Sequence, residues 1–166
     1  MYQIFPDRFY RSKMPESQRK DLYLHENWED TPLVGQNPRN GDHFATDFFG
    51  GDLEGIRQKL PYLKDLGVTL LYLNPIFRAR SNHRYDTGDY LHIDPLLGDE
   101  EDLAALCRDA DKLGIRVMLD GVFSHTGDDS IYFNRYGSYD SQGASQSKDS
   151  PYYPWYRFSD YPDKYA

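Results

Sequence analysis

The feature that most constrains this chain is one plan written twice, about 47 residues apart. DLEGIRQKLPYLKDLGVTLLYLNPIF runs from Asp52, with Leu53, Ile56, Leu60, Leu63 and Leu66 at helical spacing, then Gly67, then an apolar run from Val68 to Leu73. DEEDLAALCRDADKLGIRVMLDGVF runs from Asp99, with Leu103, Leu106, Cys107, Ala110 and Leu113 at helical spacing, then Gly114, then Ile115 to Leu119. Each opening Asp can accept hydrogen bonds from the free amides of a first helical turn, and each Gly supplies the left-handed residue that ends a helix. A buried strand follows after a connection of about one residue. Pro61 lacks the N–H that a helix interior needs, so it predicts a kink or a split in the first helix.

YQIF near the start adds a third short strand. The predicted order is strand 2–6, loop 7–51, helix 52–66, strand 68–74, loop 75–98, helix 99–113, strand 115–120 and loop 121–166. Strands that alternate with helices and read as nearly continuous apolar runs imply an α/β fold with a parallel sheet. The loops are lopsided: those that leave the strands are far longer than ordinary connections. In parallel α/β folds such loops, at the carboxyl ends of the strands, carry the site. Function is therefore expected on residues 7–51, 75–98 and 121–166.

Composition narrows the classes. The chain has 166 residues, 39% hydrophobic and 28% charged, enough for one core and too few for two. A net charge of -8 with no Lys/Arg run sets the field against nucleic acid and anionic membranes, so no partner of either kind is expected. MYQIFPDRF has no leader pattern and no apolar run is long enough to span a bilayer, so a cytoplasmic location is expected. Cys107 is expected to be a small buried core residue, and as the one cysteine it can form no disulfide within the chain. The segment 121–166 is poor in aliphatics, but five aromatics between Tyr152 and Phe158 favour a packed lobe over a disordered tail.

The residues that permit chemistry sit on those loops. Asp120 ends an apolar strand, where a carboxylate can orient an arginine or a ligand hydroxyl, and His125 follows at the start of the loop, able to donate to a ligand oxygen. The bland alternative has Asp120 capping local amides. SNHRYDTGDY, residues 81–90, offers His83, Tyr85, Asp86, Asp89 and Tyr90, a mixture of donors, acceptors and aromatic faces suited to a polyhydroxylated ligand; a turn-rich loop bracing itself is the alternative. His83, His92 and His125 lack metal-ligand spacing, no glycine-rich phosphate loop is present, and Ser124 has no nucleophile elbow around it.

Taken together, YQIFPDRF, FFGGDLEGI, LGVTLLYLNPIF, HRYDTGDY with IDPLLG, and DGVFSHTG resemble the first part of the catalytic barrel of the α-amylase family, glycoside hydrolase family 13. The likeness is to its neopullulanase, cyclomaltodextrinase and α-glycosidase branch and extends over essentially the whole chain. It implies a partial (β/α)8 TIM barrel, the first three strands and two helices in residues 1–125, with residues 126–166 starting the loop domain inserted after strand three. DGVFSH matches the family's first signature, so the resemblance assigns substrate binding to His125, with Asp120 supporting the framework, Tyr85 stacking on the sugar, and His83 and Asp86 lining or bracing the pocket. The implied partner is an α-glucan oligosaccharide.

Ser124 stands where the family usually has an Asn that in many members ligates calcium, and YRSKMPESQRK replaces the Asn/Asp-rich calcium loop found in part of the branch. No cofactor and no bound calcium are expected. The family's nucleophile and acid/base carboxylates, on strands four and five, have no counterpart here, so the chain alone is expected to be inactive. Open sheet edges would invite self-association. Two further readings remain: a non-catalytic carbohydrate-binding half-barrel, and an enzyme using Asp86 and Asp120 as its own acid/base pair.

Overall fold

The computed structural model describes residues 1–33 and 45–165. Its centre is a three-stranded parallel sheet of β1 (Tyr2–Ile4), β4 (Leu70–Leu73) and β7 (Arg116–Leu119), with β4 in the middle. Tyr2 lies opposite Leu71, and Tyr72 opposite Met118. Both helical segments precede their strands as the repeated plan requires. α3 (Glu100–Lys112) starts at Asp99, whose carboxylate accepts from the amides of Glu101 and Asp102 while Asp102 reaches back to the Asp99 amide. Gly67 and Gly114 follow their helices at φ of 79° and 69°, where a side chain would be strained. The connections are nonetheless longer than one residue, because Leu66 to Thr69 and Leu113 to Ile115 are needed to turn each helix back onto the sheet.

Pro61 splits the first helix. α1 (Leu53–Gln58) and α2 (Leu60–Asp65) meet at Lys59, which places the proline in the first turn of the second piece, where its missing N–H costs nothing. Leu53, Ile56, Leu60 and Leu63 from these helices join Ile4, Leu71, Leu73, Leu106, Ala110 and Ile115 in one buried cluster. Each such aliphatic side chain contributes roughly 1.5–3 kcal/mol by leaving water. Arg57 on α1 also pairs with Asp109 on α3 at 2.8 Å.

Alternation of side chains divides the sheet into unlike faces. Leu71 and Leu73 are buried against the helices, whereas Gln3 and Met118 on the other face are exposed and Tyr72 is half-buried. β7 lies at an edge, with Met118 and Leu119 partly exposed and Phe123 beyond it 83% exposed.

Several expectations need correction. Cys107 is exposed, not buried. Leu106 and Ala110 take the buried stripe of α3, and Cys107 sits about 100° further round the helix, facing away from the cluster. The segment 75–98 is no plain loop: β5 (Phe77–Ala79) and β6 (Thr87–Ile93) pair antiparallel, with register shifts on either side of Arg78. Likewise β2 (Tyr23–Leu24) and β3 (Asp47–Phe48) pair within the long first loop. The first strand ends at Ile4, since Pro6 starts a short 3-10 turn. Its Asp7, wholly buried, accepts from the amides of Phe49 and Gly50 and so ties that turn to the GGD segment.

The final segment is a packed lobe, as its aromatics suggested. Phe133 is 1% exposed and stacks with Phe158 on β8 (Phe158–Asp160), which pairs with β9 (Lys164–Tyr165). Among the described residues no helix is long and apolar enough to cross a membrane.

Candidate functional site

Parallel pairing brings the ends of β4 and β7 together and carries the loops after them to one edge of the sheet. The Asp120 amide donates to Leu73 O at 3.0 Å, so Asp120 continues the β7 ladder by one residue. Tyr72 faces Met118 across the ladder, and alternation puts Tyr72 and Asp120 on the same face. The Asp120 carboxylate accepts from the Tyr85 hydroxyl at 2.9 Å and lies near enough to the Tyr72 phenol to perturb it. Both phenols are held in the protonated form: burial and then the Asp120 bond push Tyr85 up to about 12, and the nearby Asp120 carboxylate with burial raises Tyr72.

His125 meets the same residue from the other side. Its Nε2 lies 3.0 Å from the Tyr85 carbonyl, which can only accept, so Nε2 carries the proton and Nδ1 is free to accept from the Ser124 hydroxyl at 3.2 Å. The chain around it is fixed by Tyr90, whose hydroxyl donates to the carbonyls of Val122 and His125. Tyr85, Asp120 and His125 therefore form one contiguous group, and Tyr72 and Tyr90 complete it. A ligand oxygen can reach the His125 donor by taking the place of the Tyr85 carbonyl.

His83 and Asp86 work one step behind. The Asp86 carboxylate accepts from the Ser81 amide at 3.1 Å and from the Ser81 hydroxyl. His83 Nδ1 accepts from the Tyr85 amide at 3.1 Å, which requires a neutral ring. Desolvation, with the nearby Arg84 charge, holds its pKa below the ordinary histidine value, opposed in part by Asp86. These two residues brace the turn that presents Tyr85, and both also line a cleft of about 300 Å3 shared with Thr46 and Asp128. Asp89 is turned away into β6, where it holds the Leu91 amide and His92.

Tyr72 escaped the sequence reading altogether. Within an apolar run it looks like core, and only the register against β7 reveals that it faces Asp120. Among the described residues no group of three or more His, Cys, Asp or Glu side chains is placed to hold a metal ion. Asp52, from the GGD segment, is engaged as the cap of α1 and by the Ser12 hydroxyl at 2.6 Å.

A strand-end Asp, a tyrosine held across it and a histidine on the following loop thus lie together at one edge of the sheet. The α-amylase catalytic-domain family matches residues 3–164. The chain belongs to the α-amylase family. An amylopullulanase of Thermoanaerobacterium saccharolyticum is 50% identical over 177 aligned positions that cover 94% of this chain and 14% of that protein. A cyclomaltodextrinase of Geobacillus thermopakistaniensis is 42% identical over 97% of this chain and 24% of its own length. The cyclic α-maltosyl-(1→6)-maltose hydrolase of Arthrobacter globiformis, solved with maltose, superposes with a TM-score of 0.76 at 36% identity, over 97% of this chain and 32% of that one. This α-amylase-family chain thus spans a third or less of these relatives, and its parallel sheet is consistent with an arc of their barrel.

Proposed function

We propose that this chain is part of a retaining glycoside hydrolase that acts on the α-1,4 or α-1,6 glucosidic bonds of maltooligosaccharides, cyclodextrins or starch. The observation that carries it is the Tyr85–Asp120–His125 group, reached from two different loops and fixed by hydrogen bonds of 2.9 and 3.0 Å. An aromatic ring with a carboxylate and an imidazole at its rim offers a sugar both a flat apolar face and polar partners for its hydroxyls. In this reading Tyr85 stacks on the sugar beside the scissile bond, His125 hydrogen-bonds it, Asp120 orients Tyr85, and His83 and Asp86 brace the turn.

Retaining cleavage needs two further carboxyl groups, one as nucleophile and one as acid/base, about 5–5.5 Å apart across the bond. Asp86 and Asp120 are poor candidates. Asp86 is tied to Ser81 through amide and hydroxyl, and Asp120 to the Tyr85 hydroxyl, so each is committed to holding structure. We therefore assign the nucleophile and acid/base to parts of the full-length enzyme outside this chain. In the same proposal β1, β4 and β7 are the first three strands of a (β/α)8 barrel, residues 126–166 begin the loop domain inserted after the third, the open edges favour self-association, and the enzyme works in the cytoplasm.

The test is a titration of the 166-residue chain with maltohexaose beside an assay of reducing-sugar release. Binding without release, and loss of that binding in Tyr85→Ala, are the expected results. Wild-type protein that binds no maltohexaose would remove the sugar site, and release by the isolated chain would overturn the assignment of the missing carboxylates.

A further inference from the structure

Past the ends of β2 and β3, backbone carbonyls from both strands turn towards one side chain. The strands run parallel, Tyr23 beside Asp47 and Leu24 beside Phe48, and the His25 amide donates to Phe48 O at 2.8 Å. The carbonyls of His25, Glu26 and Phe49 lie beyond that pairing and need other donors. Arg11 supplies them: its Nη1 donates to His25 O at 2.9 Å and Phe49 O at 3.1 Å, and its Nη2 to Glu26 O at 2.8 Å. A planar guanidinium can meet acceptors on two segments at once, which a single ammonium does poorly. Behind it the His25 and Phe49 rings, 2% and 4% exposed, stack at 4.1 Å, and the Trp28 ring lies 5.8 Å from the guanidinium carbon.

Ser12, the next residue, engages the other half of the junction. Its hydroxyl donates to Asp52 Oδ2 at 2.6 Å and its amide reaches both carboxylate oxygens at 3.3 Å, while the Gly55 amide donates to Oδ1 at 2.5 Å. Arg11 and Ser12 together tie the first long loop to the ends of β2 and β3 and to the start of α1.

Converging carbonyls beside a carboxylate are also what a calcium ion collects, since it takes about six to eight oxygen ligands. In part of the branch the loop after the first strand is Asn/Asp-rich and binds calcium; here it reads YRSKMPESQRK. The residues present do not fit the ion. Residues 8–15 include Arg8, Arg11 and Lys13 and no acid. Both Asp52 oxygens already accept from amide and hydroxyl donors, and the three carbonyls already face a fixed positive charge. We infer that the Arg11 guanidinium takes the part of a structural calcium ion, a cation supplied by the chain itself that gathers the ends of β2 and β3, while Ser12 satisfies Asp52. The fold then neither binds calcium here nor needs it.

The test is thermal unfolding of the 166-residue chain as wild type, Arg11→Ala and Arg11→Asp, each in millimolar calcium chloride and in millimolar EDTA. The wild-type melting temperature should be the same in both. Arg11→Ala removes the donor from three carbonyls and should melt about 5–10 °C lower in both. Arg11→Asp should also melt lower in EDTA, but calcium should raise it by about 5 °C, because the shorter carboxylate leaves room for the ion at the carbonyls and adds an anionic ligand. Amide hydrogen exchange should quicken at residues 25–26 and 49–52 in Arg11→Ala, which locates the loss. Wild-type protein that calcium stabilises or EDTA weakens would overturn the inference. So would an Arg11→Ala protein as stable as wild type, or an Arg11→Asp protein indifferent to calcium.

Discussion

The Tyr85 hydroxyl donates to Asp120 Oδ2 across 2.9 Å, joining the turn before β6 to the residue that follows β7. Neither residue is placed by the other's sequence neighbourhood. The sheet register delivers Asp120, the bond of the Tyr85 amide to His83 delivers Tyr85, and the phenol closes the gap.

Replacing Tyr85 by Phe keeps the ring and removes the donor. The half-buried carboxylate then turns to water, so the loss of unfolding stability should be modest, about 1 kcal/mol in urea titrations. Affinity for maltohexaose should fall less than in Tyr85→Ala, because the stacking face survives. Equal losses in the two variants would place the value of Tyr85 in its hydroxyl alone.

Alkaline pH tests the same bond without mutation. The Tyr85 pKa is raised from 10.0 to about 12 in the fold, so its contribution is whole below about pH 10 and is lost as pH rises towards 12. Urea midpoints should drop across that window in wild type more than in Tyr85→Phe. Parallel slopes would show that the bond contributes nothing to stability.

His83 predicts a change at the opposite end. Its folded pKa lies below the ordinary 6.5, held there by desolvation and by Arg84, so its contribution is present above that value and is lost as pH falls below it. Protonation takes the Nδ1 lone pair that the Tyr85 amide uses. Maltohexaose affinity should therefore weaken below about pH 6.5 in wild type, and the fall should be shallower in His83→Gln.

The repeated helix and strand could be read from sequence because their signals are local: a cap, a 3.6-residue stripe, a glycine, an apolar run. What could not be read depended on pairing between distant segments. TGDYLHI carries two charges or partial charges and no clean alternation, and it becomes a strand through pairing with Phe77–Ala79 across register shifts. Cys107 fits the helical stripe as well as Leu106 does, and only the position of α1 and the sheet decides which of them is covered. At the site, motifs singled out Tyr85, Asp120 and His125, whereas Tyr72 needed the register of two strands 46 positions apart in their Tyr72–Met118 pair.

Asp52 should prove more important to the fold than an ordinary cap. Its buried carboxylate accepts from the Gly55 amide at 2.5 Å and from the Ser12 hydroxyl at 2.6 Å, so it starts α1 and anchors the first loop at once. Asp52→Ala leaves several buried donors unmet, at a cost of about 2–4 kcal/mol. Ser12→Ala should lose only about 1 kcal/mol, since the cap remains. Comparable melting temperatures for the two variants would show that the helix cap carries little of the effect.

Gly51 makes the sharpest prediction about the backbone. A Cβ built there would lie 2.1 Å from Pro6 O and 2.8 Å from Asp7 O, both main-chain atoms that cannot swing aside as a side chain does. The Gly51 amide also donates to Asp7 O at 3.0 Å, so relief requires parting the 3-10 turn from the GGD segment and disturbing the buried Asp7 carboxylate that binds Phe49 and Gly50. Gly51→Ala should lower unfolding stability by about 3 kcal/mol or more. Gly114→Ala is the matched control: its left-handed φ of 69° costs about 1 kcal/mol, but the nearest atom to a Cβ is the flexible Lys64 Nζ at 3.9 Å. A Gly51→Ala protein as stable as Gly114→Ala would mean that the turn and the GGD segment do not lie as close as described.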